Sequence, residues 1–226
     1  MSDPQILYED NHLIIVNKRV GELVQGDKTG DEPLSKTVAN FIAQRDSKPG
    51  DAFLGVAHRL DRPVSGVTLF AKTSKGLERM NEMFRTGTVK RVYWAIVAKM
   101  PPKEEDILVH YLTKNEKQNK SYARSKSTSG AKEAKLHYKL IKASDNYFLL
   151  EVELITGRHH QIRSQLAAIG SPVKGDLKYG APRSNPDGGI SLHAKSMNFM
   201  HPVKGEKFFV EAPAPNENLW NYFSGN

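Results

Sequence analysis

Between two apolar runs, Phe53-Leu54-Gly55-Val56-Ala57 and Val67-Thr68-Leu69-Phe70-Ala71-Lys72, lies the charged string His58-Arg59-Leu60-Asp61-Arg62-Pro63-Val64-Ser65-Gly66. Short apolar runs bounded by turn residues read as buried strands, and Pro63 and Gly66 punctuate the connector between them. A fold that buries both runs must hold Asp61 close to its core, where an ionised group is costly unless paired. Arg59 and Arg62 flank the acid, and arginine can grip a carboxylate through two parallel bonds. The plain alternative is a structural ion pair that fixes a turn.

The remaining elements follow from the same patterning. Ile6 to Lys18 reads as two strands around the turn pair Asp10-Asn11, the second apolar enough to be central. Gly21 to Pro33 and Asp46 to Asp51 read as loops. Leu34, Val38, Phe41 and Ile42 have helical spacing and predict a helix from about Ser35 to Arg45. Thr73 can cap a second helix whose Leu77, Met80, Met83 and Phe84 share one face, with Thr86-Gly87 ending it. That methionine-containing stripe is core packing rather than a ligand site. Strands are predicted over Lys90 to Ala98, Ile107 to Leu112, Ala134 to Lys142, Tyr147 to Ile155, Ile190 to Phe199 and Lys207 to Val210. Ser121 to Gly130 reads as a mobile hairpin or loop, His160 to Ile169 as a helix, Ser171 to Gly189 as a long loop, and Asn216 to Phe223 as a terminal helix. Many neighbouring strands joined by short turns, with no repeat and no linker, predict one α+β domain over residues 1–226. Its sheet is expected to be mixed and mostly antiparallel, with flanking helices.

With 226 residues, 38% hydrophobic and 26% charged, the chain can bury a sizeable core. No apolar run is long enough to cross a bilayer, and the start, Met1-Ser2-Asp3-Pro4-Gln5, lacks the features of a secretion signal. A cytoplasmic protein is expected. Zero cysteines exclude disulfides, thiolate nucleophiles and cysteine metal sites. The net charge of +8 is unevenly placed. Between Thr113 and Lys142 stand Lys114, Lys117, Lys120, Arg124, Lys126, Lys132, Lys135, Lys139 and Lys142 against only Glu116 and Glu133, so nearly all the excess sits there. Such a patch is the footprint of a polyanion partner, or else a solvated lysine-rich face.

Three stretches together resemble one family. His58-Arg59-Leu60-Asp61, then Ser65-Gly66 and Ala71-Lys72, is similar to the first signature of the RluA-type pseudouridine synthases. Val64 departs from it, standing where the family commonly has threonine. Lys90-Arg91-Val92-Tyr93-Trp94-Ala95 resembles the second motif, and Thr156-Gly157-Arg158-His159-His160-Gln161-Ile162-Arg163 the third. The resemblance implies a long, largely antiparallel sheet with a central cleft, an RNA substrate of ribosomal or transfer type, and no cofactor. It makes Asp61 the catalytic carboxylate, Tyr93 the residue packed on the target uracil, and Arg163 the partner of Asp61. Arg59 would fill the space left by a flipped base, with Arg62, Arg158, His160 and Gln161 among the expected RNA contacts. Read alone, Tyr93 is a core tyrosine with a satisfied hydroxyl. His159 and His160 would point apart on a helix, and no carboxylate stands nearby at ligand spacing, so no metal is expected. No extra RNA-binding domain of the kind some relatives carry is expected ahead of the catalytic region, and there is no Gly-rich phosphate loop. A monomer without an obligate protein partner is expected.

Two competing readings remain at this level. One is a non-catalytic RNA-binding or remodelling protein using the same basic surface. The other is a nucleoside or glycoside hydrolase, which ordinarily needs two nearby carboxylates where only Asp61 has an address.

Overall fold

Most of the apolar runs form strands that bury one face, and the two amphipathic stripes form helices. The computed structural model describes residues 3–47, 50 and 52–225. In chain order the elements are β1 (Ile6–Glu9), β2 (Leu13–Lys18), α1 (Leu34–Arg45), β3 (Gly55–Val56), β4 (Ser65–Ala71), α2 (Ser74–Thr86), β5 (Lys90–Val97) and β6 (Glu105–Asn115). There follow β7 (Lys120–Arg124), β8 (Lys132–Ala143), β9 (Phe148–Leu154), α3 (Gln161–Ala168), β10 (Leu192–Met200), β11 (Lys207–Glu211) and α4 (Asn218–Ser224). The architecture is α+β, and the pairings β1–β2, β2–β4, β5–β9, β8–β9, β6–β8, β6–β7 and β10–β11 are all antiparallel. Contacts sort the chain into two compact units, Met1–Lys90 with Ala194–Pro215, and Arg91–His193 with Asn216–Asn226. Among the described residues no helix is long and apolar enough to cross a membrane.

In the first unit β4 is buried along its whole length and lies against β2, with Lys18 opposite Gly66 and Leu13 opposite Ala71. Its neighbours Leu13, Ile15, Val67, Leu69, Met80, Met197 and Phe199 form one apolar cluster. Thr73 caps α2 by accepting from the Gly76 amide, and Gly87 ends it in the left-handed region at φ 73°. Met80 is fully buried, and Leu77, Met83 and Phe84 pack against the same cluster. The strand expected over Phe53 to Ala57 shortens to Gly55–Val56. There Leu77 of α2 presses on Gly55 so closely that a Cβ would sit 2.7 Å from its Cδ2. Of the loop expected at Asp46 to Asp51, residues 48, 49 and 51 lie outside the described residues.

In the second unit the pairings run β5–β9–β8–β6–β7, and α3 packs on β6 and β7. The stretch Ser121 to Gly130 is not all loop. Its first four residues belong to β7, paired with Tyr111 to Asn115 of β6. Ser121 is buried and Tyr122 exposed, which is strand alternation written in polar residues. Asn119, at φ 45°, turns the chain between the two strands.

Candidate active site

The Asp61 connector is tied down from three directions inside the first unit. At its start, His58 Nε2 accepts from the Leu69 amide of β4 at 2.9 Å, and its ring stacks on Phe84 of α2 at 4.9 Å. That bond leaves the ring proton of a neutral His58 on Nδ1. Beyond Asp61 the chain turns, the Val64 amide donating to the Asp61 carbonyl at 3.0 Å. At its end, Gly66 holds φ 113°, and a Cβ there would lie 2.7 Å from the Ala194 nitrogen of β10. Only glycine fits so close an approach of two backbones.

The residue that shapes this turn is Lys18, at the end of β2. Only 1% exposed, it donates to the carbonyls of Arg19 and Arg62, each at 3.0 Å, and of Val64 at 2.6 Å. An ammonium has three protons, and here each meets a carbonyl. Burial lowers the Lys18 pKa from 10.5 to about 8, with Glu22 and Asp61 pulling it back up and Arg62 pushing it down. The half-buried Asp61 therefore stands in the field of this buried cation. Sequence reasoning passed over Lys18, although a lysine closing the run Leu13-Ile14-Ile15-Val16 was a visible signal. Val64, where the family commonly has threonine, buries its side chain and lends its carbonyl to Lys18.

The two arginines beside Asp61 differ. Arg59 is exposed. Arg62 is half exposed and held by the Gly21 carbonyl at 3.1 Å and Asp31 at 2.8 Å. It therefore ties down the loop after β2, a structural duty that sequence reasoning had not given it.

In the second unit the third motif is a loop wired by one amide. Gln161 Oε1 accepts from Thr156 Oγ1 at 2.8 Å and from the Arg158 amide at 2.9 Å. Its Nε2 donates to the Lys135 carbonyl of β8 at 2.9 Å. Gln161 was expected among the RNA contacts, but it is buried and both ends of its amide serve the loop. Gly157 lies under the Arg91 guanidinium, where a Cβ would sit 2.6 Å from Nη1. Arg158 is exposed and donates from Nε to the Glu133 carbonyl at 3.0 Å. Tyr93, on β5 opposite Val152, is buried.

The histidine pair departs from expectation. His159 and His160 do not diverge, because His159 precedes α3 and His160 takes a left-handed backbone at φ 51°. Their rings stack at 3.8 Å. His159 bonds Ser121 Oγ at 2.8 Å and Asn119 Oδ1 at 3.1 Å, while His160 Nδ1 bonds the Tyr179 hydroxyl at 2.9 Å. His160, expected to touch RNA, is buried within this packing.

Arg163 is buried on α3 and grips Asp176 through Nε at 2.6 Å and Nη2 at 2.9 Å. Asp176 was missed because it stands in the Pro/Gly-rich stretch read as loop. A lone acid within Val173 to Tyr179 was the available signal. Of the nine cations in the basic segment, Lys114 pairs with Glu116 and Lys135 with Glu133, and Lys142 caps the last carbonyls of α4. Lys117, Arg124, Lys126, Lys132 and Lys139 are exposed.

Comparison with known proteins agrees with these motifs. Residues 12–168 match the family described as RNA pseudouridylate synthase. An uncharacterized RNA pseudouridine synthase of Bacillus subtilis, YhcT, is 34% identical over 233 residues, which cover 97% of this chain and 72% of that protein. Ribosomal large subunit pseudouridine synthase D of Xylella fastidiosa is 32% identical over 234 residues, covering 94% and 66%. Among solved structures, human RNA pseudouridylate synthase domain containing 4 shares the fold, with a TM-score of 0.80 at 22% identity over 97% of this chain and 92% of that one. The chain spans about two thirds of the length of the curated relatives it matches, 65% in the case of a Synechocystis one. A match over most of the chain, with relatives above 30% identity, makes it a member of the RNA pseudouridylate synthase family.

Proposed function

We propose that this chain isomerises uridine to pseudouridine in structured RNA, with Asp61 as the reacting carboxylate. The observation that carries the reading is the connector itself. An acid on a turn is anchored by a buried ammonium, a histidine and a glycine that admits no side chain. So much fixed structure around one carboxylate is what positioned chemistry requires. In the reaction the bond from the sugar to uracil N1 breaks, the base rotates, and a bond from the sugar to C5 forms as the C5 proton leaves. Atoms are conserved, so the chemistry needs no cofactor. Asp61 acts at the sugar, as a nucleophile or as a base. Tyr93 retains the detached base, and Arg163 supports the carboxylate, both roles resting on the motif resemblance. The target uridine must leave its stack to react, with Arg59 filling its place and exposed lysines tracking phosphates. The named relatives favour ribosomal RNA over transfer RNA as the substrate. Both units serve this one activity, in a monomer working in the cytoplasm.

The test is tritium release from 5-tritiated uridine in transcribed ribosomal RNA, comparing wild type with Asp61→Asn. Release by wild type alone, with equal RNA binding by both, is the expected result. Equal release by both proteins removes Asp61 from the chemistry. Binding with no release by either leaves a non-catalytic RNA-binding protein, and free uracil among the products means hydrolysis.

A further inference from the structure

The turn Leu177–Tyr179, which the reaction as described does not use, joins two parts of the second unit that the proposed function does use. We propose that Tyr179 is a positioning residue. Its hydroxyl latches the β6–β7 hairpin to the third motif, and its ring fixes the orientation of Arg163. The inference rests on the function proposed above and adds to it a device that keeps RNA bound on the hairpin in register with the third motif.

The hydroxyl meets both the hairpin and the third motif. It accepts from the Ser121 amide of β7 at 2.8 Å and bonds His160 Nδ1 at 2.9 Å. Donation of its own proton to His160 completes the pattern, with the neutral imidazole protonated at Nε2. Ser121 lies opposite Lys114 of β6, and its amide is turned to Tyr179 instead of being left to water. A strand amide that finds its partner in a side chain from another segment pins the strand at that point. Three further bonds act in the same place. His159 holds Ser121 Oγ and Asn119, and Lys178 Nζ reaches the Asn119 carbonyl at 3.1 Å.

The ring has a separate task. It lies 5.0 Å from the Arg163 guanidinium carbon, while Asp176, at the head of the same turn, grips that guanidinium along one edge. One short turn thus holds the arginine by an edge and by a face, which fixes the plane of its remaining donors. The ring also meets Lys120, whose ammonium is 5.1 Å from the Tyr179 centroid and 5.4 Å from that of Tyr122. Tyr122 and Lys117 are exposed on the same hairpin. Exposed lysine and tyrosine suit a strand of RNA, through phosphate contact and base stacking.

Hydroxyl and ring can be separated by substitution. Tyr179→Phe keeps the ring and loses the latch, and Tyr179→Leu loses both. Three measurements apply: amide exchange over residues 118–124, affinity for transcribed large-subunit ribosomal RNA, and kcat and KM from tritium release. Tyr179→Phe is expected to speed exchange over 118–124 about tenfold without change in β8 and β9. It should also weaken RNA affinity and raise KM about fivefold, with kcat within about twofold of wild type. Tyr179→Leu is expected to add a fall in kcat of about tenfold or more. Unchanged exchange and affinity in Tyr179→Phe would overturn the latch, and unchanged kcat in Tyr179→Leu the support of Arg163. Equal losses in every readout that follow a lowered Tm would reduce Tyr179 to a core residue and end the proposal. If wild type releases no tritium, the proposed activity fails alone, because exchange and affinity still decide the latch.

Discussion

Two loops of this chain each wrap around one buried polar side chain, and the two side chains differ in kind. The Asp61 connector is held by Lys18, a cation whose three protons meet three carbonyls. The third-motif loop is held by Gln161, a neutral amide that accepts twice and donates once. A buried amide is inexpensive once its partners are in place, whereas a buried ammonium retains a desolvation cost even when fully bonded. The first loop carries an acid and the second does not, and that accounts for the choice. A cation beside Asp61 attracts its carboxylate while shaping its turn, which no glutamine could do.

The largest expected effect tests the frame common to the Asp61 loop. Gly66→Ala puts a Cβ into the Ala194 backbone at a φ of 113°. We expect loss of more than about 4 kcal/mol of stability, or no soluble protein, read by chemical denaturation. A folded Gly66→Ala protein with wild-type stability would mean that β4 and β10 can separate at that point. Next comes Lys18→Met, which keeps the apolar stem and removes the donor. Three carbonyls then lose their partner and Asp61 its nearby cation. A loss of about 3 kcal/mol is expected, with kcat down about a hundredfold in the protein that remains folded. If kcat survives, the lysine serves stability alone.

Much of this frame is legible from residues in order, because strands and caps are local. The run Leu13 to Val16 and the pair Thr73 and Gly87 declare themselves through burial pattern and helix-end chemistry. Lys18 does not, since a lysine at a strand end ordinarily reaches water. Its burial follows from the register that sets it opposite Gly66, a cross-strand fact. β7 was hidden by its composition of Lys, Ser, Tyr, Ala and Arg, which reads as loop until Tyr111 to Asn115 is known to lie beside it. Asp176 and Tyr179 stood in a segment without periodicity. What they do is set by Arg163 and Ser121, the latter 58 positions away.

Gln161→Leu is the matching change in the other loop and should cost less. The Arg158 amide and the Lys135 carbonyl lose a partner, but no charge is stranded. About 2 kcal/mol of stability is expected to go, equally at pH 7 and pH 9.5, as read by denaturation at the two values. A pH-dependent loss would mean that the two anchors are less different in kind than their chemistry implies.

The smallest effect is the one that most sharply separates the two anchors. In the folded chain Lys18 loses its proton at about pH 8, and in the unfolded chain at the ordinary 10.5. Below pH 8 both states are protonated, and the fold carries the full cost of burying the charge. As pH rises from 8 toward 10.5 the native lysine sheds its proton while the unfolded one keeps it, so stability rises with pH. Between pH 8 and 9.5 the gain is about 1.5 kcal/mol. Other lysines and tyrosines titrate in this range too, so the quantity to measure is the difference between wild type and Lys18→Met across it. That difference should grow in favour of wild type by about the stated amount, and the same comparison with Gln161→Leu should stay flat. Turnover should move the opposite way. A neutral amine has two protons for three carbonyls, so the Asp61 turn loses a bond as the fold gains stability. Wild-type kcat is therefore expected to fall above pH 8 while its denaturation midpoint climbs. A kcat that climbs with the midpoint would show that the charge on Lys18 costs the fold something and gives the site nothing.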